Sequence, residues 1–207
     1  MKEGETLSMF LPVLCKAPGC HIYSVKGSDY CFHHSSNRAG ILSDIMADLE
    51  SGKDTSDISI VGAELTGLDI RNKTIAGCNF AFCVFDRCHF ENVSITASFF
   101  DFALFRNTEI IDSEIRYSVF SGSLFMNSEI TESTAIHNNF IGIDSYDSDF
   151  SHNDFYYSNF SVSKFLYSKM EDCNLKRADF SNCLMKEISF RYSNINDAYR
   201  CTEDSAT

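Results

Sequence analysis

A strict five-residue period runs through this chain, and few folds can carry one. Every fifth residue from Ile60 onward reads Ile60, Leu65, Ile70, Ile75, Phe80, Phe85, Phe90, Ile95, Phe100, Phe105 and so on to Phe190 and Ile195. Of 28 such positions 26 are large and apolar, Ala135 and Ser145 being the exceptions, and no insertion breaks the register. On an α-helix a step of five turns the side chain by roughly 140°, which scatters the large residues around the axis. On a flat strand an odd step sends successive residues to opposite faces. A chain that turns a corner every five residues instead directs all of them into one interior. Two positions before most of them stands a small residue, such as Cys78, Cys83, Cys88, Ala103, Ser118, Ser123, Ser158, Ser163, Cys173, Ala178 or Cys183.

The units CNFAF, ADFSN, SNFSV and SDFSH resemble the repeats of the pentapeptide-repeat family, and the likeness covers about two thirds of the chain. The resemblance implies an all-β fold: a right-handed quadrilateral parallel β-helix with four repeats per coil and about seven coils. With coils spaced like paired strands, at about 4.8 Å, the rod is on the order of 35 Å long. Residues 20 apart are then vertical neighbours. One interior column reads Ile60, Phe80, Phe100, Phe120, Phe140, Phe160, Phe180, and the next Leu65, Phe85, Phe105, Phe125, Ser145, Phe165, Met185. A third, from Ile75 to Ile195, is mostly aliphatic. The 19 Phe beside no Trp fit slots too narrow for an indole. Burying each Phe stabilises by about 1.5 to 3 kcal/mol, so the ladder is the principal stabiliser. At Ala135 and Ser145 the ladder thins, and Ile136 and Tyr146 beside them point to a local bulge or distorted corner, if not to a tolerated imperfection.

Of nine cysteines, Cys78, Cys83, Cys88, Cys173 and Cys183 occupy the small inward position, where thiols serve as compact hydrophobes. Cys201 lies in the tail without an evident partner. Cys15, Cys20 and Cys31 fall in CKAPGCHIYSVKGSDYCFHH with the spacing C-x4-C-x10-C-x2-H if His34 is the fourth residue, His33 competing for that place. Thiolates plus imidazole at such intervals suit a structural, tetrahedral Zn2+, and Gly19 permits the tight turn of a metal knuckle. The segment resembles short treble-clef-like zinc-finger modules. Three reduced cysteines without a metal are the alternative. NRAGILSDIMADLESG reads as a short amphipathic helix, started by Ser36 or Asn37 and ended by Gly52, whose Ile41, Leu42, Ile45, Met46 and Leu49 cap the first coil. The organisation expected is a finger at 1–36, a capping helix and linker at 37–55, the β-helix at 56–200 and a tail at 201–207.

No Ser/His/Asp or Cys/His constellation and no phosphate-cradling loop stands out, and His89, His137 and His152 map to outward positions on different coils. A filled rod also offers little of the concavity catalysis needs, so an enzyme is not expected. Outward positions carry more information. Asp69, Glu109, Glu129 and Asp149 stand on one face, with Asp112 and Glu132 three residues on from two of them. Such a face is either a DNA-like track of charge or a solubilising surface. A second patch, Phe82, Val84, Phe102, Leu104 and Leu124 with Phe99 nearby, makes an apolar corner covered either by the finger folding back or by a partner.

The family resemblance implies a non-enzymatic, protein-binding solenoid, in some members a DNA mimic that binds DNA gyrase or topoisomerase IV. The alternative is an interaction adaptor or bacterial effector scaffold, the rod a spacer and the finger or apolar corner the recognition element. The resemblance also implies a homodimer through the C-terminal coil. A net charge of −12 disfavours nucleic acid as a partner. Around the finger Lys2, Lys16, Lys26 and Arg38 stand against Glu3, Glu5 and Asp29, too few cations for a phosphate footprint. No run approaches the roughly 20 apolar residues of a membrane span and no signal peptide is visible, so a bacterial cytoplasmic protein is expected, with a secreted effector as the alternative.

Overall fold

A computed structural model describes residues 13–199; Lys2, Glu3, Glu5, Cys201 and the tail 201–207 lie outside the described residues. A parallel β-solenoid of seven coils makes up most of it, every pairing in register at a spacing of 20 residues. Four faces alternate around the coil. One runs through Thr55–Ser56, Thr74–Ala76, Ser94–Thr96, Glu114–Arg116 and Thr134–Ile136. The second is a chain of single bridges from Ser59 through Asn79, Phe99, Val119, Asn139, Asn159 and Asp179 to Tyr199. The third has seven rungs, from Glu64–Thr66 to Leu184–Lys186, and the fourth begins at Asp69–Arg71 and runs through Glu129–Thr131.

The interior is the five-residue register. Phe80, Phe100, Phe120, Phe140, Phe160 and Phe180 form one unbroken stack with ring centroids 4.8 to 5.3 Å apart. The small slot does more than make room. Ser123, Ser158 and Ser163 donate to the carbonyls of Phe100, Ala135 and Phe140 on the coil before, at 2.7 to 3.1 Å. The thiols of Cys83, Cys88, Cys173 and Cys183 point at the equivalent carbonyls of Ile60, Leu65, Phe150 and Phe160. These cysteines are therefore inter-coil donors as well as hydrophobes.

Each corner is turned by a left-handed residue two positions after the large one, every fifth residue from Asp57 to Tyr192. Gly62, Gly67, Gly77, Gly122 and Gly142 occupy five of these corners, and the rest carry side chains. L-residues adopt that conformation at a cost, which Gly escapes and Asn and Asp tolerate best.

No bulge forms at Ala135 or Ser145; of the two sequence readings, the tolerated imperfection holds. Ile115↔Ala135 and Phe125↔Ser145↔Phe165 pair in plain register, and both residues are fully buried. Volume is made up from neighbouring columns. The Phe150 ring meets Phe125 edge-on at 5.4 Å and Phe165 at 6.2 Å, and Phe155 meets Phe140 at 6.0 Å and Phe160 at 5.1 Å. Ser145 satisfies its hydroxyl with that of Ser168 at 2.8 Å. The perturbation is absorbed by side chains, and the backbone does not move.

Helix α1 spans Arg38–Glu50; Asn37 caps it, its side chain accepting from the Gly40 N–H at 3.1 Å. Ile45 and Leu49 are buried against the first coil, with Ile41, Leu42 and Met46 half-buried beside them. Its C-terminus is held by the solenoid. Lys73, in a small inward slot of the first coil, donates through Nζ to the carbonyls of Asp48, Leu49 and Ser51 at 2.7, 3.1 and 3.2 Å. A buried cation at the negative end of a helix dipole satisfies carbonyls the helix leaves open.

Candidate functional site

In the finger, the Cys15 and Ser24 backbone pairs back across the turn, and Gly19 takes φ +73, as the knuckle requires. A short 3-10 turn, Phe32–His34, follows Cys31 and brings His34 round. The ligand atoms of Cys15, Cys20, Cys31 and His34 all lie within 4.8 Å of one another. His34 Nδ1 stands 3.4 Å from Cys15 Sγ and 3.3 Å from Cys31 Sγ, and the Sγ atoms of Cys20 and Cys31 are 3.9 Å apart. A tetrahedral centre with bonds of about 2.3 Å to sulfur and 2.0 Å to nitrogen has edges of about 3.8 and 3.6 Å. The four residues fit a metal ion. Burial pushes the Cys15 thiol up, but hydrogen bonds from the backbone at Cys31 and Ala17 and from His34 outweigh it and bring it down to about 6. The Cys15 thiolate is thus favoured at neutral pH, whereas burial pushes the Cys31 thiol up.

His33 is not in the cluster. Its imidazole lies against Gly62 of the first coil, where an added Cβ would come within 2.7 Å of Nε2. Val25 is buried in the solenoid core cluster, Phe32 packs against it, and Lys26 Nζ donates to the Ser56 carbonyl at 3.2 Å. The finger therefore docks on the N-terminal end of the rod. Of the two coverings expected for the apolar corner, the finger is therefore not the one.

The corner itself is open among the described residues. Phe82 and Phe102 are each 58% exposed and Phe99 43%, with Val84, Leu104 and Leu124 half-buried in register along the third face. The rings of Phe82 and Phe102 stack at 5.1 Å.

The acidic face is less continuous than its carboxylates suggest. In register the column reads Asp69, His89, Glu109, Glu129, Asp149, Lys169. Arg71 pairs with Asp69 and with Glu91, His89 with Glu109 at 2.9 Å, and Lys169 with Asp149 at 3.4 Å. Glu129 and the corner residues Asp112 and Glu132 make no ion pair among the described residues. A further corner column was not picked out from sequence: Tyr117, His137 and Tyr157 stack at 5.7 and 5.3 Å and end under Arg177. Only the 20-residue spacing of 117, 137, 157 and 177 signals it.

The rod cysteines are the opposite of reactive. Burial pushes Cys78 and Cys173 up to about 11 and Cys83 to about 12, and raises Cys88. Of the histidines on the rod, His89 and His152 pair with surface carboxylates.

A family model for pentapeptide repeats matches residues 168–199, in 8 copies. The solenoid is built of pentapeptide repeats. HetL, a pentapeptide repeat protein involved in heterocyst differentiation regulation in the cyanobacterium Nostoc sp. strain PCC 7120, is 10% identical, with 79% of this chain and 97% of that chain covered at TM-score 0.44. Trypsin-treated QnrB1, a plasmid-mediated fluoroquinolone resistance protein, is 16% identical over 74% of this chain and 84% of that one, at TM-score 0.39. Full-length QnrB1 is 14% identical over 71% and 86%, at TM-score 0.37. No curated protein matches this chain in sequence. No helix among the described residues is long and apolar enough to cross a membrane.

Proposed function

We propose that the chain is a non-enzymatic, protein-binding rod whose aromatic corner contacts a partner protein, while the finger and helix α1 close its N-terminal end. The observation that carries this reading is the exposure of the stacked Phe82 and Phe102 beside Phe99 and Leu104 on adjacent coils. Contiguous exposed apolar surface of this kind marks contact sites. The test is affinity capture by the wild type and by the double variant Phe102→Ser/Leu104→Ser. A protein retained by the first and lost from the second, with unchanged melting, supports the reading; identical captured sets refute it. The metal in the finger is zinc in this reading, supported by three thiolates with one imidazole at tetrahedral separations. Elemental analysis checks it, and a folded, metal-free protein would refute it.

A second reading is a DNA mimic that binds gyrase or topoisomerase. Glu109, Glu129 and Asp149 stacked in register beside Asp112 and Glu132 support it; His89 and Lys169, which flank them in the column, count against it. A supercoiling assay decides: neither inhibition nor protection at micromolar protein removes this reading and leaves the first.

A further inference from the structure

We infer that the aromatic corner takes a partner segment in which a lysine or arginine is flanked by apolar side chains, with Asp101 as its counter-charge. This rests on the reading of that corner as the contact face.

The repeat itself shows what the corner gives up. On the second face Asn79, Asn139, Asn159 and Asp179 each use Oδ1 to accept the N–H two residues on, at 2.8 to 3.1 Å. Phe99 and Val119 occupy the same slot on the two coils between, and neither can accept. Two local hydrogen bonds are replaced by apolar surface, one on the coil that carries Phe102 and Leu104 and one on the next, which carries Leu124. Phe82 and Phe102 moreover sit at φ 60 and 55, where an aromatic residue is strained. Room is made for the lower ring: a Cβ at Gly122 would meet Phe102 Cε1 at 2.5 Å.

The charge at the corner selects among partners. Asp101 precedes Phe102, and its carbonyl accepts from the Phe82 N–H at 2.8 Å, which ties its backbone to the coil that carries Phe82. Its carboxyl has no cation within ion-pair distance among the described residues, and burial holds it above the usual carboxylate range. Glu64, in register above Val84, also makes no ion pair. The cations along the third face nearest this coil, Arg87 and Arg106, are already engaged with Asp86. A wholly apolar partner would bury Asp101 uncompensated, and an acidic one would meet like charge. A cation set among apolar side chains satisfies both the carboxylate and the rings.

The test uses random 12-residue peptides displayed on phage and selected against the full chain, followed by titration of the best synthetic peptide. We expect enrichment of Lys or Arg beside Phe, Leu or Met. Binding should be abolished by Phe102→Ser and weakened about tenfold by Asp101→Asn, with less salt dependence and unchanged melting in both variants. Peptides that need Phe102 but carry no cation, or bind Asp101→Asn unchanged, overturn this inference and leave the contact-face reading standing. No enrichment, or equal binding to Phe102→Ser, overturns both. Self-association that Phe102→Ser abolishes in sedimentation would assign the corner to a second copy and also overturn it.

Discussion

A corner that demands φ near +60 is a tax levied on every repeat, and the residue that meets it worst is Val162, at φ +63. A β-branched side chain in the left-handed region is a steric outlier, whereas Asn is tolerated there. Val162 is 60% exposed, so no core contact offsets the strain. Val162→Asn should therefore raise the unfolding free energy by about 1 kcal/mol at constant denaturant slope. An unchanged midpoint would show that the strain is relieved elsewhere. The thiols give a second residue-scale expectation. Because burial raises Cys78, Cys83, Cys88 and Cys173, they should stay unmodified by a disulfide reagent at pH 8 in the native protein and react fully only on denaturation. Native-state modification of any of them, located by mass spectrometry, would contradict the inward slot. The sequence marks that slot plainly, through small residues at fixed spacing. The corner conformation leaves no comparable mark, since Gly, Asn, Asp, Phe, Tyr and His all occupy it.

At the level of elements, the helix and the finger act as one lid. Helix α1 is legible from its apolar spacing and its Asn37 cap, and the four metal-cluster residues from their spacing, because both signals are local. Where the lid attaches is not legible, because no period connects His33 to Gly62 or Lys73 to the helix carbonyls. Lys73 stands where the later coils place Val93, Ser113 and Ser133, yet it is buried and serves three carbonyls. Lys73→Met keeps the apolar stem and removes the donors, and should cost about 2 kcal/mol of stability, read from the denaturation midpoint. Burial lowers the Lys73 pKa, so the unfolded chain holds its proton more tightly and this group's contribution to stability rises with pH only where it titrates. The other half of the lid would answer to metal. His34 sits in the cluster and His33, next to it, rests on Gly62, so removing an ion held there should free His33 from the first coil. Chelation is expected to make Cys15, Cys20 and Cys31 reactive while the β-sheet circular dichroism persists; concerted loss of both would show that the finger and the rod fold as a single unit.

For the whole molecule, a solenoid is quasi-one-dimensional: each coil touches only its neighbours, and stability is close to a sum of coils and interfaces. That is why one period read from the sequence was enough to place four faces and an interior, and why Ala135 and Ser145 could be repaired from adjacent columns without disturbing distant coils. The ends are where such a molecule differs from its own repeat. At the N-terminal end Ile45, Leu49 and Val25 join the core cluster, and the first-coil residues Ile58, Ile60 and Leu65 are fully enclosed. At the other end Met185, Ile188, Phe190 and Ile195 are only half-buried, and Tyr192 and Tyr199 are 81% and 58% exposed. Opening should therefore begin at the last coil and travel toward the lid. In native-state hydrogen exchange, amides of the central coils, such as Phe100, Phe120 and Phe140, should exchange near the global unfolding free energy. Protection should fall through Phe180 to Tyr199 and stay high toward Ile60. Adding a chelator should lower protection at Ile60 and Leu65 and leave the gradient toward Tyr199 as it was. A profile symmetric about the middle coil before chelation would mean that the finger and helix α1 contribute nothing as a lid.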